Sequence, residues 1–157
     1  MKRFAALYFL NLTLLFMLFY AETSILSTLA NKGQTQLTLF FLGMFLPSEQ
    51  LQGADIWINP LYKIIINQAC NGMIPILFLF ASILAYPALW WYKISWMGIG
   101  YMIFSLVNVF RILLVVYFVE QNGGRENFYW SHDLLGNVLL ISVGLGLFIT
   151  FIKLSKK

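Results

Sequence analysis

Three side chains in this 157-residue sequence could together carry acyl-transfer chemistry: Cys70 in "NQACNGMIP", Arg111 in "NVFRILLV" and His132 in "SHDLLGN". Cys70 is the only cysteine and His132 the only histidine. A thiolate can attack a peptide carbonyl, a guanidinium can stabilise the oxyanion that develops, and an imidazole can pass a proton to the leaving amine. Taken singly, each has a plainer explanation. A lone cysteine at a helix end is often a small packing residue, and a histidine at a loop-to-helix junction is often an interfacial cap. Arg111 is the hardest to set aside, because an arginine within an apolar run costs at least about 2–3 kcal/mol and requires a partner facing the protein interior. Asn108, three residues earlier, shares its helical face. With one cysteine there is no intramolecular disulfide, no thiol-redox pair and no thiolate metal site. A serine mechanism is poorly served: no G-x-S-x-G elbow exists, and Ser131 reads as a helix-start residue.

The elements that must position these residues belong to a membrane protein. Hydrophobic residues make up 61% of the chain and charged residues 10%, far from the composition of soluble domains. The expected fold is an all-α polytopic membrane protein forming one domain over residues 1–157, with about four transmembrane helices near 4–20, 72–92, 95–119 and 134–152. Lys2, Arg3, Lys93, Lys153, Lys156 and Lys157 then fall on one side and all six acids on the other, so the positive-inside rule places both termini in the cytoplasm. That arrangement brings Cys70, Arg111 and His132 to the outer face. Arg111 starts about 13 Å below the outer end of its helix, within reach of the boundary for so long a side chain. Residues 21–69 form the extracytoplasmic segment. Within it, "IWINPLYKIII" reads as a short β-hairpin around Asn59-Pro60, and Leu37 to Phe45 as an interfacial or buried helix too short to cross. Gly136, Gly144 and Gly146 read as small residues for close helix packing. The basic residues are spread over helix ends, which excludes a nucleic-acid partner.

The same stretches resemble the exosortase and archaeosortase family. "ACNGMIPILFLFASILAYPA" is similar to its cysteine motif, commonly A-C-S-G with an apolar span after it; "NVFRILLV" resembles its N-x-x-R motif and "SHDLLGN" its histidine motif. The likeness runs from about Gly53 to Val143, and Asn71 in place of serine resembles the short exosortase H-type members. The resemblance implies a membrane-embedded cysteine protease or transpeptidase of the bacterial cytoplasmic (inner) membrane that cleaves C-terminal protein-sorting signals at the outer face. Its partners would be the lipid bilayer and membrane-anchored substrates ending in a short motif, a transmembrane helix and a basic tail. On this likeness Cys70 is the nucleophile, Arg111 the oxyanion stabiliser and His132 the general acid/base, with Asn108 orienting Arg111, Asn71 beside the nucleophile, and no cofactor. A reading from another class also fits the residues: a non-enzymatic assembly or chaperone factor whose Arg111 binds a lipid phosphate or a partner helix.

Overall fold

A chain in lipid must satisfy its backbone polar groups internally, so its long apolar runs fold as helices. The computed structural model describes residues 2–21, 23–60, 62–68, 70–122 and 136–155. In chain order it has helices α1 (Lys2–Phe19) and α2 (Ile25–Leu42) and strands β1 (Leu51–Gln52), β2 (Asp55–Asn59) and β3 (Tyr62–Ile65). Helices α3 (Met73–Ala85), α4 (Trp90–Asn122) and α5 (Gly136–Ser155) follow. Three of them, α1, α4 and α5, are long and apolar enough to cross a membrane. The expected calls on Glu22, Glu126, Ser131, His132, Asp133, Lys156 and Lys157 lie outside the described residues.

The boundaries of the second and third expected spans need correction. The run from Gly72 to Tyr92 does not form one helix: α3 has 13 residues, about 20 Å at 1.5 Å per residue, against a hydrocarbon core of about 30 Å. It stops because Pro87 lacks an N–H and drives the preceding residue out of the helical region; Tyr86 is extended, at φ −78° and ψ 139°. Helix α4 then starts at Trp90 rather than Ser95. Lys93, expected in the connection, instead lies in the first turn of α4 and donates from Nζ to the Leu84 carbonyl at 2.8 Å, giving a partner to one of α3's terminal carbonyls.

The bundle has two chemically different ends. At one, Phe4 stacks on Phe148 at 6.2 Å and Tyr92 on Phe151 at 5.2 Å, and the Tyr92 hydroxyl donates to the Phe151 carbonyl at 3.1 Å. Lys2, Arg3, Lys93 and Lys153 belong to the helix turns at this end. At the other, the Gln68 side chain donates to the Tyr20 carbonyl at 2.9 Å, and residues 70–72 meet the middle of α4. Between the ends, close approach depends on small residues: a Cβ on Gly100 would lie 2.5 Å from Leu79 Cδ2, and one on Gly144 3.2 Å from Phe104.

Helix α2 is the element least visible in the sequence. A short helix was expected over Leu37–Phe45; the helix instead covers Ile25–Leu42, capped by Ser24, whose side chain accepts from the Ser27 N–H at 3.4 Å. Its buried residues are Ser27, Gln34, Thr38 and Leu42, whereas Ile25, Leu26, Leu29 and Phe40 are exposed. Three of its four buried residues are polar, and several of its exposed ones are large and apolar, although Thr28, Lys32 and Gln36 are exposed too. Because those polar residues lower the summed hydropathy, a window average passes over it.

The expected hairpin is present, with one more strand. An antiparallel sheet of order β1-β2-β3 pairs Leu51 with Ile56 and Ile56 with Ile64. Its β-branched residues fit a half-buried pleated surface: Ile56, Ile64 and Ile66 pack with Leu42 onto Val115 and Val119 of α4. Gly53, at φ 64°, supplies the left-handed residue of the β1–β2 turn. The 33 residues of α4 therefore serve two layers, helices along the first half and the sheet along the second.

Candidate active site

The cysteine sits in a turn whose geometry depends on asparagine and glycine. The Cys70 N–H lies 3.0 Å from the Asn67 carbonyl and 3.3 Å from Asn67 Oδ1, and the Asn71 N–H donates to the same carbonyl at 3.1 Å. Gly72 has φ 78°, and a Cβ there would also lie 2.9 Å from Asn108 Cγ. Only glycine meets both demands. Met73 opens α3, and its N–H donates to Asn71 Oδ1 at 3.0 Å, so Asn71 satisfies one of the amides that a helix start leaves without an internal partner. Cys70 is half-buried, three residues before this start, and packs against the apolar cluster under the sheet.

Asn108 joins the cysteine to the arginine. Its Nδ2 donates to the Cys70 carbonyl at 2.9 Å, and its Oδ1 accepts from Arg111 Nη1 at 3.3 Å. Three residues apart on α4, Asn108 and Arg111 share a face, and both are buried, Asn108 fully and Arg111 at 4% exposure. The opposite wall is the first residue of α5. A Cβ on Gly136 would overlap Arg111 Nε and lie 2.9 Å from its Cδ and 3.1 Å from its Cγ. The glycine expected as a packing residue thus packs on the guanidinium stem itself. Overpacking of this kind costs about 1–3 kcal/mol, so Gly136→Ala should lower the thermal unfolding midpoint in detergent. Gly146→Ala, with nothing within 4 Å of its added Cβ, should be neutral or slightly stabilising. Equal midpoints for the two variants would contradict the contact with Arg111.

A polar path reaches the same turn from α2. Gln34 Nε2 donates to the Asn71 carbonyl at 3.1 Å and to Ser105 Oγ at 3.2 Å. The Ser105 hydroxyl in turn donates to the Tyr101 carbonyl at 2.8 Å. Asn71 Nδ2 donates to Asn31 Oδ1 at 2.8 Å, and Asn31 Nδ2 donates to the Ser27 carbonyl at 2.8 Å. Sequence reading missed Asn31, Gln34 and Ser105. The signal was there in the spacing of Ser27, Asn31, Gln34 and Thr38, which repeats on one face of a helix inside an otherwise apolar stretch.

Of the five residues singled out by sequence, the structure brings together Cys70, Asn71, Asn108 and Arg111. Asn71 is fully buried and its side chain is engaged by Asn31 and Met73, so it serves the turn rather than offering a surface to a ligand. His132 lies outside the described residues. An apolar groove of about 420 Å³, lined by Tyr8, Pro75, Phe78, Ser82, Ile141 and Phe148 among others, opens elsewhere, between α1 and α5. Its lining is almost wholly apolar, and none of Cys70, Asn71, Asn108 and Arg111 belongs to it. Among the described residues no group of acids, histidines and cysteines could hold a metal ion.

A half-buried thiol just before a helix start, on a turn whose carbonyl shares one asparagine with a buried guanidinium, combines the residue types that nucleophilic attack with charge stabilisation requires. A family model described as transmembrane exosortase (Exosortase_EpsH) matches residues 2–150. Comparison with curated proteins and with solved structures gives no match.

Proposed function

Because the chain belongs to the transmembrane exosortase family, we propose that it is a cysteine protease or transpeptidase that cleaves C-terminal sorting signals through a thioester at Cys70. The observation that carries this reading is the Asn108 bridge, which ties the Cys70 carbonyl at 2.9 Å and Arg111 Nη1 at 3.3 Å to one amide. In the first step the Cys70 thiolate bonds to the scissile carbonyl carbon and the negative charge moves to its oxygen, where Arg111 stabilises it. The C–N bond then breaks, the amine leaves with a proton given by His132, and a thioester remains. An acceptor amine or water attacks that thioester, His132 takes its proton, and Cys70 leaves as thiolate. His132 stands four residues before Gly136, a tether of at most about 14 Å from the wall of Arg111, which supports its role as proton carrier.

The partners in this reading are membrane-anchored proteins with a C-terminal motif, a transmembrane helix and a basic tail. Lys2, Arg3, Lys93 and Lys153 gather at the bundle end away from Cys70, and by the positive-inside rule that end faces the cytoplasm. Cys70 then acts at the outer face of a bacterial inner membrane.

The test is to trap the intermediate. The chain is co-expressed with a reporter ending in a motif, an apolar helix and a basic tail taken from proteins of the same host, then quenched in acid and analysed by mass spectrometry. The expected product is an adduct at Cys70 that carries the reporter's N-terminal portion and is released by hydroxylamine. Processing that proceeds with Cys70 unmodified throughout would remove the acyl-enzyme.

A further inference from the structure

Helix α2 carries no part of the three motifs, yet it supplies more hydrogen bonds to Asn71 than any other element among the described residues. We propose that Gln34 and Asn31 are positioning residues for Cys70, acting through Asn71. This rests on the reading of Cys70 as nucleophile and adds the device that aims it.

The backbone on either side of Asn71 is held from two directions. Asn108 on α4 takes the Cys70 carbonyl, and Gln34 on α2 takes the Asn71 carbonyl, at 2.9 Å and 3.1 Å. Two successive peptide planes are thereby fixed, one by each helix. The Asn71 side chain is clamped as well, between Asn31 Oδ1 at 2.8 Å and the Met73 N–H at 3.0 Å. Gln34 is 1% exposed and Asn71 fully buried, so water cannot replace these bonds cheaply. A rigid supporting shell matters because an error of about 1 Å in the placement of a reacting group can cost about 10²-fold in rate. Thr38 is an internal comparison. It lies one turn beyond Gln34 on the same buried stripe, but its hydroxyl has no partner among the described residues.

The experiment compares Gln34→Met, Asn31→Ala and Thr38→Val in the full-length, membrane-inserted chain, with processing of the same reporter as the readout. Met keeps the length of Gln34 and removes its donors. The expected result for Gln34→Met is a kcat lower by about 10- to 100-fold with KM little changed, since the group acts on the thiol's placement and not on substrate binding. Asn31→Ala should fall in the same direction by less, and it decides the matter should Gln34→Met fail to insert. Thr38→Val should keep the wild-type kcat. The proposal is overturned if Asn31→Ala, and Gln34→Met where it inserts, process at the wild-type rate. It is also overturned if Thr38→Val loses as much as Gln34→Met, because the stripe would then be packing alone. Cys70→Ala separates this from the parent reading: processing that survives it refutes the nucleophile, whereas a dead Cys70→Ala beside fully active α2 variants refutes only the positioning role.

Discussion

Cys70→Ala should insert and fold like the parent chain yet process no reporter. The backbone of the turn is held by bonds that the substitution leaves in place, from the Cys70 N–H to Asn67 and from Asn108 to the Cys70 carbonyl. What is lost is one sulfur packed against the edge of the apolar cluster, a change comparable to a buried methylene at about 0.8 kcal/mol. The chemical loss is far larger. No second thiol exists, and removal of a nucleophile from such a site lowers the rate by at least about 10³-fold. The measurement is the fraction of reporter cleaved, beside the thermal midpoint of each purified chain. Cleavage at the parent rate would end the case for a thioester.

Arg111→Lys should fall by about 10²–10³-fold in kcat, the range for removal of one preorganised oxyanion donor, although the charge is kept. Arginine presents a planar fork with several fixed donors, and lysine a compact ammonium on a flexible stem. At this position the fork is oriented by its contact with the helix, Nη1 donating to Asn108 Oδ1 at 3.3 Å. An ammonium on a flexible stem in the same pocket, walled by Gly136, cannot reproduce that planar orientation. Arg111→Ala should be worse and less stable, since Asn108 loses a partner in a buried site. Single-turnover cleavage separates the chemical step from reporter binding. A lysine variant as fast as the parent would show that only net charge matters and would remove the oxyanion role.

The sequence by itself determined the membrane character, the helical runs, the strand pair around Asn59-Pro60 and the family, because composition and residue type carry those signals. Cys70, Asn108 and Arg111 stood out there too, each being unusual for its surroundings. Other features came only from the folded chain. The division of the second span followed from Pro87, whose effect is local and readable but was outweighed by the apolar run around it. Helix α2 stayed hidden since its polar residues lower its summed hydropathy, which cannot tell the buried Gln34 from the exposed Gln36. The role of Gly136 depended on which side chain it meets 25 residues away in sequence, a fact that no local pattern contains. Residue types announced a lone thiol and a cation in an apolar run; only tertiary packing decided that one asparagine joins the Cys70 backbone to Arg111 and that a helix outside the motifs holds the turn, because hydrogen bonds between distant segments exist only once the bundle has closed.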